Sequence, residues 1–436
     1  MNLLKEVLHH EVFPAMGCTE PISLAFAASL AGEGIDEPLE DLRFLVNLGT
    51  YKNGLAVTIP NTDGEKGNLI AGVLGALIRQ PEKKMEILRD VSSEQLAEAK
   101  RLLKEKTFRI DVHPDASDLY LEVELWTRNH RSMVVISGSH TNVVYREKDG
   151  EVLLDRRSEA KKSRPEYKEP LSRCTVAELI DLAEAIDEED LAFLKRGVEM
   201  NLAITKEGMK LQKVGYYLLD LIEKGYLCDD VFASTKILTA CATDARMDGV
   251  AMPVMSSGGS GNQGIVATLV PWNVGKSFDI PEETILKSIA LSHLLNAYVK
   301  VFTGELAPIC GCAIAAGVGA TAAIVYQQKG KDMCSIPYAI NNLVSDIGGM
   351  ICDGAKSGCA FKVLSSTDAA IRAAYLGIHR HGITRAEGFV GLTVEKTIAN
   401  LSRISEIGMA QVDSTIVGIM MGKVPQAGGV APRPRG

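Results

Sequence analysis

The spacing of apolar and polar positions divides the chain into a helical beginning, a strand-rich middle and a long helical remainder. Apolar residues recur at helical spacing from Leu3 to Phe13, and a second helix begins at Pro21, a residue that suits the first turn of a helix. Between residues 41 and 156 the spacing changes to period two, which predicts strands. Helical spacing returns after residue 172. We therefore predict a mainly α-helical catalytic domain, residues 1–40 and 157–436, with an inserted α+β domain at residues 41–156.

The boundaries of several elements follow from turn and capping signals. The motif Lys148-Asp149-Gly150 predicts a hairpin turn, and Thr175-Val176-Ala177-Glu178 is a capping box that predicts a helix start. A long helix is predicted from Pro281 to about Phe302, closed by Gly304. Further strands are predicted at residues 42–48, 54–60, 108–114, 119–127, 133–137, 142–146 and 151–154, and further helices at 68–78, 93–106, 369–378 and 394–407.

Composition and charge restrict the partners. The net charge is -8 and the chain has no basic run, so we expect neither a nucleic acid nor an anionic membrane surface as partner. The most apolar stretch, Ala313 to Tyr326, is shorter than the roughly 20 residues of a membrane span and is interpreted as a buried helix. The N-terminus has no pattern of a secretory signal, which predicts a cytoplasmic protein.

Nine cysteines without an export signal indicate reduced thiols or metal ligands rather than disulfides. Four fall close together, at Cys310, Cys312, Cys352 and Cys359. In a regular helix the last two would lie about 10 Å apart, but Gly354 and the glycine before Cys359 allow the backbone to fold back. Soft thiolates favour an iron-sulfur centre over zinc, because no Cys-x-x-Cys pair or nearby histidine completes a tetrahedral set. The alternative is a group of buried core cysteines, and the spacing alone favours neither.

Two other segments carry candidate chemistry. Cys18 precedes a predicted helix N-terminus, where the helix dipole lowers a thiol pKa, so it is a candidate thiolate base; otherwise it is a buried packing residue. The glycine-rich loop from Ser256 to Gly264 can turn its N-H groups inward to bind a carboxylate, or it is a linker. His140 falls on a predicted strand and is interpreted as structural. Asp244 and Arg246 are interpreted equally as functional or as a structural ion pair.

Taken together, four segments resemble the signature segments of the L-cysteine desulfidase family: Gly17-Cys18-Thr19-Glu20-Pro21, Ser256-Ser257-Gly258-Gly259-Ser260-Gly261-Asn262-Gln263-Gly264, Cys310-Gly311-Cys312-Ala313 and the loop from Cys352 to Cys359. That family is similar to the iron-sulfur L-serine dehydratases, through their α-chain for the helical part and their β-chain for the inserted part. The resemblance spans nearly the whole chain. In two respects the chain departs from the serine enzymes: Cys18-Thr19 stands where they carry a Ser-His-Thr element, and the last two cysteines are closer together. Both departures favour a thiol substrate.

The resemblance implies a 4Fe-4S cluster, no pyridoxal phosphate, and a small amino acid as substrate. It implies Cys312, Cys352 and Cys359 as cluster ligands, with Cys310 as a spare, and Cys18 as the catalytic base. The substrate-binding residues that it implies are Thr19, Ser257, Gly258, Gly259, Ser260, Asn262 and Gln263.

The activity that follows is β-elimination of L-cysteine to pyruvate, ammonia and sulfide, in a cytoplasmic protein for which a homodimer is a candidate assembly. Three alternatives stay open: L-serine dehydration on the same site, elimination with pyridoxal phosphate, and a non-enzymatic iron-sulfur redox or sensor protein. The second lacks a recognisable Schiff-base lysine motif. A cluster closed by four cysteines, Cys310 included, would support the third, because it offers a substrate no coordination site.

Overall fold

The computed structural model describes residues 2–116, 119–160, 165–304 and 306–422, and it is mainly helical, with 57% helix and a small mixed sheet. This confirms the predicted mainly helical class. The α-helices are α1 Leu3–Glu11, α2 Thr19–Ala31, α3 Leu48–Gly54, α4 Asn68–Ile78, α5 Ser93–Glu105, α6 Arg157–Ala160, α7 Lys168–Arg173, α8 Val176–Glu184, α9 Glu188–Gly208, α10 Val214–Glu223, α11 Val231–Met247, α12 Gly261–Ser277, α13 Glu282–Thr303, α14 Ala315–Lys329, α15 Ile336–Ile347, α16 Cys359–Ile378, α17 Val394–Arg403 and α18 Val412–Met421. A 3-10 helix at Pro81–Glu86 and a π-helical turn at Ile404–Gly408 complete the helical elements of this part of the chain.

Most strands belong to one sheet in the middle of the sequence. The strands are β1 Pro14–Met16, β2 Asp41–Val46, β3 Arg109–Val112, β4 Tyr120–Trp126, β5 Arg131–Ser137, β6 Val143–Lys148, β7 Glu151–Asp155 and β8 Pro253–Met255. The six-stranded sheet has the order β3-β2-β4-β5-β6-β7, antiparallel except for the β2–β3 pair, while β1 pairs with β8. Asp149 and Gly150 turn between β6 and β7 with positive φ, as the hairpin prediction requires.

Buried apolar side chains form two large clusters. One contains residues of α1, α7 to α9 and α12 to α17. The other begins at Cys18 and contains residues of α2, α4, α5 and the sheet strands β2, β4 and β5. Helix α2 therefore packs with the sheet, although the sequence pattern grouped it with the helical part. Helix α13 is long and apolar enough to cross a membrane, but 83% of its apolar stretch is buried, as in a central core helix.

Local signals located several boundaries, and tertiary packing changed others. The capping box at Thr175 is present, and α13 is closed by Gly304 at φ +83°. The strand predicted at residues 54–60 is wrong: α3 ends at Gly54, and Thr58 forms only an isolated bridge. The alternation of apolar and polar residues in this segment arises because Val57 and Ile59 are buried, although the backbone there is irregular. Helix α16 starts earlier than predicted, at residue 359, and α17 ends earlier, at residue 403.

Candidate active site

A cleft of about 920 Å³, part of it open to solvent, brings together residues from both apolar clusters. The sheet-side cluster contributes the start of α2, the end of α3 and the turn between β5 and β6. The rest of the cleft is formed by the end of α11, the glycine-rich loop before α12, and the cysteine segments before α14 and α16. Segments far apart in sequence therefore surround one space.

All four clustered cysteines line this cleft. Cys310 and Cys312 precede α14, Cys352 follows α15, and Cys359 is the first residue of α16. Backbone hydrogen bonds join the two loops, from Cys310 N–H to the Met350 carbonyl at 2.8 Å and from Cys352 N–H to a proline carbonyl at 2.6 Å. The structure thus places Cys312, Cys352 and Cys359 on the lining of one cleft.

The loop between Cys352 and Cys359 turns back at Gly354, where φ is +90°. A Cβ atom on that glycine would lie 2.4 Å from the Lys52 carbonyl oxygen, so close approach to α3 also requires glycine there. Gly358 has an ordinary helical φ of -63°. Of the two glycines predicted to turn the backbone, only Gly354 does so. This turn prevents Cys352 and Cys359 from lying on one regular helix.

The thiols influence one another electrostatically. A hydrogen bond with Cys312 and the nearby Lys362 ammonium lower the pKa of Cys310. The same hydrogen bond and burial raise the pKa of Cys312. Burial raises the pKa of Cys359 to about 11. Four thiols on one wall fit the soft donor set of an iron-sulfur cluster. In the described ranges, no group of three or more His, Cys, Asp or Glu residues already has the spacing of a metal site, so ligation requires the thiols to draw closer.

On the sheet side, Cys18 caps α2 and donates a hydrogen bond to Glu20 Oε2 at 2.9 Å. Burial and the adjacent carboxylate raise the pKa of Cys18 well above that of a free thiol. The structure therefore contradicts the predicted thiolate, because desolvation and Glu20 outweigh the helix dipole. Burial alone would raise the pKa of Glu20, but His140 and hydrogen bonds from Cys18 and Asn53 hold it below its usual value. Thr19 also lines the cleft and donates to the same carboxylate.

The glycine-rich loop faces the cleft through most of the residues singled out in the sequence, namely Gly258, Gly259, Ser260, Asn262 and Gln263. Two of them, Gly258 and Gly259, have positive φ. Ser257 does not line the cleft. Its hydroxyl oxygen lies 2.8 Å from His293 Nδ1 and 2.9 Å from Asn296 Nδ2, so it fastens the loop to α13. Burial lowers the pKa of His293 to about 3 and keeps this imidazole neutral.

Sequence reasoning assigned neither His140 nor Arg246 to the site. His140 lies in the β5–β6 turn rather than on a strand, and it lines the cleft beside the start of α2. His140 is the middle residue of a Ser-His-Thr sequence, Ser139-His140-Thr141, and it lines the same cleft as Cys18 and Thr19. Arg246 also lines the cleft, and its Nη1 donates to Asn262 Oδ1 at 3.0 Å.

Asp244, two residues earlier, points elsewhere. Its Oδ2 accepts from the Gly215 N–H at 2.8 Å, at the start of α10. In the described structure Asp244 and Arg246 make no ion pair, so the structural ion pair considered for them is wrong.

Comparison with known sequences identifies the group to which this architecture belongs. The sequence profile of the serine dehydratase alpha chain matches residues 82–418. The chain belongs to the serine dehydratase alpha chain family. Two UPF0597 proteins, from Elusimicrobium minutum and Geobacter sulfurreducens, are each 55% identical over 97% of this chain, covering 100% and 99% of their own lengths. A UPF0597 protein of Alkaliphilus oremlandii is 39% identical over 96% of this chain and 98% of its own length. No solved structure matches.

The range of residues matched by the serine dehydratase alpha chain profile shows which parts of the chain the family relationship covers. It includes strands β3 to β7, which the sequence analysis compared with a separate β-chain. It also includes the four clustered cysteines and the glycine-rich loop. Cys18, Thr19 and Glu20 lie before the matched range, so their place in the site rests on the geometry of the cleft.

Proposed function

We propose that this chain is a β-eliminating lyase, an L-cysteine desulfidase that converts L-cysteine to pyruvate, ammonia and sulfide. The observation that carries the proposal is the convergence of four thiols from two loops on a cleft that also holds buried ionisable side chains. The family match supports lyase chemistry on a small amino acid.

Cys312, Cys352 and Cys359 would hold a 4Fe-4S cluster, with Cys310 beside them as the spare thiol. Such a cluster with an open iron supplies a Lewis acid for the leaving group. The lysines Lys52 and Lys362 flank the cysteine segments, and their positive charges lower the pKa of Cys352 against the effect of burial. The chain thus offsets part of the negative charge that bound thiolates would bring.

Removal of the Cα proton needs a base inside the cleft. Cys18 is the residue that the family resemblance implies, but its raised pKa keeps it a protonated hydrogen-bond donor to Glu20. His140 lines the same space, and histidine is the side chain that acts most often as a general base. We therefore assign the role of base to His140. Cys18 and Thr19 orient Glu20 through the hydrogen bonds that they donate to its carboxylate.

Substrate binding would use the glycine-rich loop, through Gly258, Gly259, Ser260, Asn262 and Gln263. Ser257 supports that loop from behind. We further propose that residues 41–156 form an α+β unit inserted into a helical unit of residues 1–40 and 157–436. The two separate apolar clusters support two units, while the packing of α2 moves the first boundary toward Cys18.

L-serine dehydration is the second candidate, because the matching family profile is that of serine dehydratase. Anaerobically purified protein should be assayed for pyruvate from L-cysteine and from L-serine at equal concentrations. The desulfidase proposal predicts the higher kcat/KM with L-cysteine, with sulfide released in equal amount to pyruvate. A higher kcat/KM with L-serine would replace it by the dehydratase. Pyruvate formation that borohydride abolishes, with a cofactor trapped on lysine, would instead favour pyridoxal phosphate.

A further inference from the structure

We infer that Arg246 and Glu20 are two oppositely charged poles that make this cleft select α-amino acid zwitterions over molecules that carry only one of the two charges. The inference rests on the proposed function, since it concerns how the same cleft would hold its substrate. It assigns the carboxylate of the substrate to Arg246 and the ammonium to Glu20 with Asn53.

Arg246 is a buried cation with unused donors. Its side chain is only 2% exposed, and a guanidinium has five N–H groups. One of them bonds to Asn262, but the buried Nε has no acceptor among the described residues. A buried charge with a single neutral hydrogen-bond partner is poorly compensated. A carboxylate would compensate it, because its two oxygens match the two parallel N–H groups on one edge of a guanidinium.

The glycine-rich loop brings further donors to the same place. A Cβ atom on Gly261 would lie 2.3 Å from Arg246 Nε, so the absence of a side chain lets the first turn of α12 approach the guanidinium. The N-terminus of a helix presents unpaired N–H groups and a partial positive charge. Arg246 and the start of α12, which has 17 residues, therefore favour an anion together.

Glu20 is the matching buried anion. It is 5% exposed, and its low pKa keeps it ionised at neutral pH. Its carboxylate accepts hydrogen bonds from Cys18, Thr19 and Asn53, and nearby His140 also favours its charged form. Asn53 Oδ1 is a buried acceptor without a hydrogen bond in the described structure. An ammonium has three N–H donors, so it could supply the hydrogen bond that Asn53 Oδ1 lacks while its charge lies beside Glu20.

The two poles line the same cleft. Both charges affect the thiol of Cys18, since Glu20 raises its pKa and Arg246 lowers it. Among the described residues they form no ion pair with each other: Arg246 bonds to Asn262, and Glu20 bonds to Cys18, Thr19 and Asn53. Two opposite buried charges that remain apart leave room for a ligand with the complementary charges.

Binding of three non-reacting probes tests the inference on the cluster-loaded protein. L-Alanine carries both charges, propionate only the carboxylate and ethylamine only the ammonium. Isothermal calorimetry should show L-alanine binding about 10- to 100-fold more tightly than either of the others, the factor expected for one charge-assisted contact. Equal affinity for L-alanine and either single-charge probe overturns the inference.

Two substitutions separate the poles. Arg246→Gln should abolish binding of propionate and leave that of ethylamine, whereas Glu20→Gln should do the reverse. Arg246→Lys should restore part of the propionate affinity. Arg372→Gln, at an exposed arginine on α16, is the matched control and should change none of the three affinities. Loss of all probes in both glutamine variants, with unchanged thermal unfolding, would also overturn the inference.

The outcome is independent of the elimination chemistry. If the three probes rank as expected while no pyruvate forms from L-cysteine or L-serine, the charge selection stands and the proposed lyase activity falls. If a glutamine variant does not fold, the ranking of probes on the unmodified protein still decides.

Discussion

The ammonium of Lys52 lies 2.7 Å from Asp413 Oδ1 and 2.8 Å from the carbonyl oxygen of Cys352. Lys52 is 1% exposed, so this is a buried contact between α3, the C-terminal helix α18 and the cysteine loop. Val417 of α18 lies in the same apolar cluster as the sheet. One side chain thus joins the end of the described chain to the segment proposed to hold the cluster.

Removing the carboxylate of Asp413 should destabilise the protein because it leaves a buried ammonium with only a carbonyl partner. We expect Asp413→Asn to lower the free energy of unfolding in urea by about 3 kcal/mol, the range for breaking a buried pair. Asp220→Asn, which breaks the exposed i,i+4 pair with Lys224, should change it by less than about 1 kcal/mol. Equal effects of the two substitutions would mean that Lys52 does not depend on α18.

The raised pKa of Cys18 predicts low reactivity toward iodoacetamide, since the thiolate is the reactive form. At neutral pH, mass spectrometry should find Cys228 and Cys334, both exposed, alkylated long before Cys18. The same reaction in guanidinium chloride is the control and should label all of these thiols. Labelling of Cys18 in the folded protein as fast as Cys228 would restore the thiolate base.

The raised pKa of Asp244 predicts that the stability of the protein depends on pH between about 4 and about 6. Burial raises its pKa to about 6 from a usual value of 3.8, although the Gly215 N–H and Lys213 oppose the shift. The folded state therefore binds more protons than the unfolded state between these values, and stability falls as pH rises from about 4 to about 6. A pKa shift of about two units corresponds to a loss of at most about 3 kcal/mol in the free energy of unfolding.

Asp244→Asn should remove this loss, because the amide oxygen can still accept from Gly215 and carries no charge. We expect the variant to be at least as stable as the unmodified protein in urea at pH 7 and to show a flatter profile between pH 4 and 6. A variant that is clearly less stable at pH 7 would show that the ionised carboxylate stabilises the start of α10.

Local sequence signals predicted those elements whose boundaries depend on near neighbours. Helix α4 begins and ends where its apolar run does, and the Asp149-Gly150 turn and the capping box at Thr175 were each specified by their own residues. The four clustered cysteines occupy two short segments, but how those segments meet depends on contacts such as that between Cys310 and Met350.

The remaining features depend on contacts between distant segments. Nothing near His140 indicates that its turn reaches the start of α2, where its neighbour is Glu20. The pKa of Cys18 was predicted with the wrong sign because its burial arises from packing across the sheet. Arg246 was singled out only as part of a charged segment, and its position in the cleft depends on the close approach that Gly261 allows.

The most direct test of the account is the iron and acid-labile sulfide content of anaerobically purified protein, measured beside L-cysteine-dependent pyruvate release. Cys352→Ser is the test variant, and Cys228→Ser, at an exposed cysteine outside the cleft, is the matched control. We predict iron, sulfide and pyruvate release in the unmodified protein and in the control, and loss of all three in Cys352→Ser. Pyruvate release that persists in Cys352→Ser, or protein that is active without iron, would contradict the account.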